Sequence, residues 1–367
     1  MKIGSISLTD PVALAPMAGM TDTAFRRLVK RRGGCGLVVT EMVSSEGLVR
    51  GIDRTLEYAE YTEEERPVSI QIFGGDPAKM ADAAQIVEGM GADIVDVNMG
   101  CPVAKISRHN AGCSLMREPA HAAGIIRAMA NAVRIPVTVK MRAGWNESTI
   151  NAPLLAQLVE DAGAAAIAVH GRTAAQSYTG ESDWNLIAEV ASRVSIPVFG
   201  SGDCVEAGQI VQRLRDHGVH GVLVGRGALR NPWIFRQAAD AQAGLGPHPI
   251  SLAERGQFLL DYLDLLLKER VNEAEGFRHV APGPSVPVVP VVPVVPVPAR
   301  GRERWVINKL RALNSWYSKG LEGGSQFRVG VNSVESVAAL RDLINRFFFE
   351  SSAAELARVP HVVADCK

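Results

Sequence analysis

One pattern constrains this chain more than any other: between Val12 and about Asp240 it repeats a single sentence eight times. Each repeat is a short apolar run, a loop carrying glycine or polar residues, and an amphipathic helical stretch. The runs are "VALAPM" from Val12, "GLVVTEM" from Gly36, "VSIQIFG" from Val68, "IVDVNMG" from Ile94, "VTVKMR" from Val137, "AIAVHGR" from Ala166, "PVFGSGD" from Pro197 and "GVLVGRG" from Gly221. Helices are expected in "TDTAFRRLVKRR", capped by Thr21 or Asp22 and ended by Gly33-Gly34, and over 77–90, 119–133, 149–162, 183–193 and 205–217. Runs that are apolar nearly throughout and alternate with helices imply parallel strands buried on both faces. Eight such units over about 230 residues fit a (β/α)8 TIM barrel. A doubly wound sheet is the alternative, but "LAPMAGMTD" after the first run is not a G-x-G-x-x-G loop, and no Walker loop or H-E-x-x-H occurs.

Beyond Pro249 only helical patterns remain, over 252–270, 302–319 and 333–350, which predicts a small C-terminal all-helical domain. The expected division is a barrel over 1–245, helices over 246–350 and a tail over 351–367. Residues 281–299 carry no charge, yet their prolines recur every third residue. Each proline inside a helix costs ~3 kcal/mol, so this stretch is no membrane span and suits extended polyproline II instead. It reads as a neutral loop expansion, since each doubling of loop length costs only ~0.6 kcal/mol, with a PxxP-type docking segment for a partner as the alternative. Five cysteines without a CxxC pair indicate neither a disulfide framework nor a zinc site. That usage, and a start without a basic segment before an apolar one, predicts a cytoplasmic protein. Lys plus Arg equals Asp plus Glu at 39 each, so any polyanion must be met by a local patch. Nothing calls for a membrane or an obligate protein partner.

In such a barrel, chemistry sits at the C-terminal ends of the strands. In order these ends carry Pro16-Met17-Ala18, Glu41, Gln71, Asn98 and Cys101, Lys140 and Arg142, His170 and Arg172, Ser201-Gly202-Asp203, and Gly225-Arg226. The glycines of "GSGD" and "GRGAL" let backbone N–H groups approach an anion, with Arg226 adding charge, so a phosphorylated ligand is expected there. An ammonium at Lys140 can stabilise negative charge on a reduced flavin, and the Gln71 amide can meet the ring edge. An ordinary ion pair and a polar rim residue remain the alternative for these two. Pro102 fixes the chain direction after Cys101, aiming the thiol across the mouth. An unperturbed thiol has a pKa of about 8.5 and can donate a proton without help; an inert buried cysteine is the alternative.

At these residues the sequence resembles the tRNA-dihydrouridine synthases. "LAPMAGMTDTAFR", "TEMVS", "QIFG", "DVNMGCPVAKI", "AGCSLMREP", "VTVKMRAGW", "VHGRTAAQSYTG", "GSGD" and "GRGALRNPWIF" match that family in order, and "LRALNSWYSKGL" resembles its C-terminal helical domain. The resemblance implies an FMN-binding barrel that reduces the C5–C6 bond of selected uridines in tRNA, with NADPH as the transient reductant. By position it implies that Pro16, Met17, Ala18, Gln71, Lys140, Ser201, Gly202, Asp203, Gly225 and Arg226 hold FMN, with His170 at the flavin or the uracil. It implies that Cys101 delivers the proton to C5 and that Asn98 contacts the uracil, with Arg172 also on the substrate side. Two positions depart from the family's pattern: Ser201 stands where Asn is common, and Ala174 where an Arg usually follows HGRT.

A uridine inside folded RNA reaches a barrel mouth only when extruded, at a cost of a few kcal/mol, so something must grip the rest of the molecule. The candidate is "ARGRERWVINKLRALNSWYSKG", whose Arg304, Lys309 and Arg311 are expected on phosphates, while Trp305 and Trp316 are expected to pack the helices. Two other functions compete with this one. A flavin barrel could act on a free pyrimidine, which leaves the basic helices idle; a non-catalytic RNA-binding barrel would leave Cys101 and Lys140 idle.

Overall fold

The computed structural model describes residues 1–107, 110–268 and 299–350. Eight parallel strands close a barrel: β1 (Val12–Leu14), β2 (Leu37–Val39), β3 (Val68–Phe73), β4 (Ile94–Met99), β5 (Val137–Arg142), β6 (Ala166–His170), β7 (Val198–Ser201) and β8 (Gly221–Val224). The sheet runs β2-β1-β8-β7-β6-β5-β4-β3, and β2 also pairs with β3, Val38 opposite Val68, which joins the two ends. All eight expected strands are present. The (β/α)8 TIM barrel is therefore the fold of this unit, which spans Met1–Pro247.

The helices form where amphipathic spacing and caps agree. Helix α1 (Thr23–Arg32) starts where the Asp22 carboxylate accepts the Phe25 amide and buries Ala24, Phe25, Leu28 and Val29. It stops at Gly33, whose φ of 80° only glycine adopts without strain. The next outer helices are α2 (Pro77–Gly89), α3 (Pro119–Ala132), α4 (Ala152–Asp161), α5 (Trp184–Arg193), α6 (Ala207–Asp216) and α7 (Ile234–Gln242). The fourth begins three residues later than expected, because Asn146 and Thr149 close a turn of their own and Gly144 bridges to Ile150.

The barrel interior changes character along its axis. A hairpin not foreseen from the sequence, Lys2–Ile3 paired with Ile6–Ser7, packs Ile3 and Leu8 against Ala13, Leu37, Ile94, Ala166 and Phe199. Two-residue strands are too short to show a period. The hairpin covers the N-terminal end, where Gly4 lies against Pro136 and Ala165. Further along β3 to β7 the inward positions become polar: Ser69 and Gln71, Asp96 and Asn98, Thr138 and Lys140, His170, Ser201. The plugged end is a core and the other end is a site.

The second unit, from His248 onward, is helical: α8 (Leu252–Lys268), α9 (Ala299–Tyr317), α10 (Gly324–Ser333) and α11 (Val337–Asn345), the last continuing through a wider turn over Arg346–Glu350. The helix expected over 333–350 starts at Val337, where Ser336 Oγ accepts the Ala339 amide, and runs on to Glu350 through the wider turn. The α10 segment falls between the expected helices and was not among them. Gly256 admits a close crossing, since a Cβ there would lie 2.5 Å from Phe348 Cβ. Trp305 and Trp316, expected inside, are half-exposed. The buried stripe is Val306, Leu310, Leu313 and Tyr317, which leaves the two tryptophans on its flank at helical spacing. The proline-valine stretch over 281–298 and the tail over 351–367 lie outside the described residues. Among the described residues, no helix is long and apolar enough to cross a membrane.

Candidate active site

Because parallel strands hold their ends in register, residues distant in sequence become neighbours at the mouth. Gln71 stands opposite Asp96, Asn98 opposite Lys140, Arg142 opposite His170, and His170 opposite Ser201. A cavity of about 570 Å³, counting the part open to solvent, lies among these ends. Its wall includes Pro16, Met17, Lys140, His170, Ser201, Gly202, Asp203, Gly225 and Arg226. Ala18 is exposed on the loop after β1, and Gln71 is buried beneath the rim; neither is on the wall.

The positive charges here are arranged by a few acids and by burial. Asp203, in a left-handed conformation with φ 55°, accepts from Arg172 Nη2 at 2.8 Å and lies 3.5 Å from Arg226 Nη2. Its carboxylate also accepts the Ser182 amide at 2.7 Å. Gly202 is there for packing, because a Cβ would come within 2.3 Å of Ser182 Oγ. Burial pushes the Lys140 ammonium down to about 8, helped by Arg142 and opposed by Asp96 and Cys101. Burial, with Lys140, Arg142, Arg172 and Arg226 around it, holds His170 down to about 2, so its imidazole is neutral at physiological pH. The cavity thus offers an ammonium, a guanidinium and a neutral imidazole.

Arg172 is 2% exposed. Its Nε donates to the Thr179 carbonyl at 3.0 Å and its Nη2 to that of Gly180 at 2.6 Å, besides Asp203. Such an arginine holds the loop after β6 and orients Asp203. Arg142, also buried, donates to the carbonyls of Gly100, Thr173 and Ser177 at 2.8, 2.9 and 2.9 Å, tying the loops after β4 and β6 together. Ala174 is buried in that junction, its amide on the Gly144 carbonyl.

Cys101 lies on the loop after β4 and is partly exposed. It is not on the cavity wall itself; Lys140, which is, lies within electrostatic reach of the thiol. Its amide donates to Asn98 Oδ1 at 2.9 Å, as does that of Gly100 at 3.1 Å, while Asn98 Nδ2 donates to Gln71 Oε1 at 2.7 Å. Asn98 is therefore a bracket for this loop. The neighbouring Cys113 is fully buried, its thiol pushed up to about 11 by desolvation. Of the two, Cys101 is the thiol a ligand can meet.

Two features escaped sequence reasoning. Tyr178 is 59% exposed on the cavity wall, with the Arg226 guanidinium 4.7 Å and that of Arg142 5.8 Å from its ring centre. Nothing in "TAAQSYTG" distinguishes it before the loop is folded. Asp96 is buried inside the barrel; an acid two residues before Asn98 in an apolar strand was the available signal.

In the helical unit Arg304 is exposed. The Lys309 ammonium and the Arg302 guanidinium lie 5.6 and 4.1 Å from the Trp305 ring centre, and Lys319 lies 4.3 Å from that of Trp316. Arg311 donates to the carbonyls of Val331 and Val334 and so joins α9 to the end of α10.

Comparison with known proteins agrees with this geometry. The family model described as dihydrouridine synthase (Dus) matches residues 13–283. A probable tRNA-dihydrouridine synthase of Rickettsia conorii is 36% identical over 95% of this chain and 96% of its own length. One from Rhodobacter capsulatus is 44% identical over 73% of this chain and 83% of its own. The tRNA-dihydrouridine synthase B of Pseudomonas aeruginosa is 36% identical over 95% and 96%. Among solved structures, histamine dehydrogenase from Rhizobium sp. 4-9 has a similar fold, with a TM-score of 0.51 at 12% identity over 72% of this chain and half of that one. From its barrel, its mouth residues and these relatives, the chain belongs to the dihydrouridine synthase family.

Proposed function

We propose that this protein is a flavin-dependent tRNA-dihydrouridine synthase of the cytoplasm, reducing the C5–C6 bond of particular uridines with FMN at the barrel mouth and NADPH as the reductant. The observation that carries the reading is the bracket at Asn98, which holds the Cys101 amide at the mouth of a barrel of this family, with Lys140 within electrostatic reach of the thiol. The donor set suits FMN: Arg226 and the glycine-bearing ends of β7 and β8 offer a place for a phosphate, and Lys140 a positive charge for an electron-rich ring. Pro16, Met17, Ser201, Gly202, Asp203, Gly225 and His170 would complete its walls, with Ala18 on the exposed loop after β1 and Gln71 buried beneath the rim. When bound, the flavin supplies the hydride that reaches C6 of the uracil.

The chain's own residues do the rest. Addition at C6 builds negative charge toward C5, and Cys101 holds the proton that meets it. Asn98 keeps the Cys101 loop in place from below, and Arg142 ties the Gly100 carbonyl from the side. Lys140 keeps positive charge at the mouth as that charge develops. The exposed Tyr178 ring offers a stacking face to the extruded base. Arg172 serves by fixing Asp203. In this reading residues 1–245 are the catalytic domain and 246–350 the tRNA-binding domain, with Arg304 and Lys309 on phosphates and Arg311 holding the helix that carries them.

The test is spectroscopic and kinetic. The purified protein is expected to absorb at about 450 nm from oxidised flavin. It is expected to oxidise NADPH when given unmodified tRNA and not when given uracil or orotate. A colourless protein, or one that responds to the free pyrimidines, would overturn the proposal.

A further inference from the structure

Asp96 lies two residues before Asn98 on the same inward face of β4, and both of its oxygens are occupied by donors. Thr138 Oγ1 donates to one at 2.6 Å and Gln71 Nε2 to the other at 2.7 Å. We propose that Asp96 is a positioning residue for the Cys101 loop, the fixed end of a one-way hydrogen-bond relay through Gln71 and Asn98. This rests on the reading of Cys101 as the proton donor.

The argument is one of donors and acceptors. A carboxylate only accepts, so Gln71 must turn its Nε2 toward Asp96 and its Oε1 toward Asn98. Asn98 answers with Nδ2 and is left with Oδ1 for the loop. Oδ1 is what the amides of Gly100 and Cys101 need, at 3.1 and 2.9 Å. Reversing either side-chain amide would set donor against donor or acceptor against acceptor. All three residues are buried, at 6%, 1% and 8% exposure, so water cannot repair a mismatch. A buried mismatch of this kind changes the population of an arrangement by about tenfold or more. Desolvation raises the Asp96 pKa on balance, while the bonds donated by Gln71 and Thr138 and the charge on Lys140 favour the accepting carboxylate.

The test is a double-mutant cycle on the intact flavin-loaded protein. Its first readout is the rate at which iodoacetamide alkylates Cys101, followed by peptide mass spectrometry, with the buried Cys35, Cys113 and Cys204 as internal references. Asp96→Leu and Asn98→Ala are each expected to raise that rate by about threefold or more as the loop loses its bracket. The double variant is expected to stay within about twofold of Asn98→Ala alone, because Asp96 acts through Asn98. Asp96→Asn keeps an acceptor for Gln71 and is expected to recover most of the change. The second readout is turnover with tRNA, expected to fall about tenfold or more in Asp96→Leu with KM for tRNA within about twofold. If Asp96→Leu does not accumulate folded, Asp96→Ala takes its place in the same cycle.

Parent-like alkylation in the Asp96 variant, effects that multiply in the double variant, or no recovery in Asp96→Asn would each overturn the relay. Alkylation reports where the loop sits whatever the thiol does in turnover. Full turnover in Cys101→Ala would therefore refute the donor role alone, and a silent Asp96 cycle would refute the relay alone.

Discussion

Arg142 Nε donates to the Gly100 carbonyl at 2.8 Å, so a side chain at the end of β5 holds the loop that carries Cys101 after β4. The same buried guanidinium reaches the carbonyls of Thr173 and Ser177. A lysine there has one compact ammonium in place of a planar fork and cannot serve all three. Arg142→Lys is expected to cost about 2–3 kcal/mol in urea unfolding and to lower turnover more than it raises KM. An unchanged midpoint and turnover would mean that these bonds contribute little.

Lys140 gives the site a pH dependence of known sign. With its pKa lowered to about 8, chiefly by burial, it is charged below that pH and neutral above. An anionic flavin phosphate or ring favours the charged form, so FMN affinity of flavin-stripped protein is expected to fall by about tenfold between pH 7 and 9. Lys140→Met is expected to bind more weakly and with a flat profile over that range. Fluorescence quenching of added FMN measures both.

His170 makes the opposite kind of prediction. Burial and four nearby cations hold it at about 2 when folded, whereas the unfolded chain takes up its proton near 6.5. Below 6.5 the unfolded state therefore binds more protons at this residue, and stability falls as the pH falls. The expected loss from this group is about 2 kcal/mol between pH 7 and 5, missing in His170→Asn. Urea titrations of the two proteins at both pH values test it, and turnover is expected to show no step from His170 between pH 5 and 8.

The helical unit is tested by salt. Arg304 is exposed, and a phosphate contact from it releases about one counterion. Arg304→Ala is expected to raise KM for tRNA, leave kcat alone and reduce the slope of log affinity against log salt by about one. An unchanged slope would move the RNA contact elsewhere.

How much of this was legible in the chain follows from what a linear pattern can carry. The barrel was, because its strands are buried on both faces nearly throughout and so read as mostly apolar runs, as "GVLV" does. The mouth was too, because parallel strands carry Lys140, His170 and Arg226 to one end whatever their loops do. Partner choice was not. Arg172 reads as a free cation at a strand end, yet it is buried and bonded to Thr179, Gly180 and Asp203. Asn98 reads as a ligand residue but spends its amide on Gln71 and on two loop amides. The α10 helix was not among the expected ones; the fold uses its Gly330 for close approach, since a Cβ there would lie 2.9 Å from Leu343.

The most direct test is single-turnover reduction of unmodified tRNA by flavin-reduced Cys101→Ala. Loss of a positioned general acid is expected to slow the step by about 10²-fold or more while FMN absorbance and tRNA affinity stay at parent values. Reduction at the parent rate would contradict the assignment of the proton to this thiol.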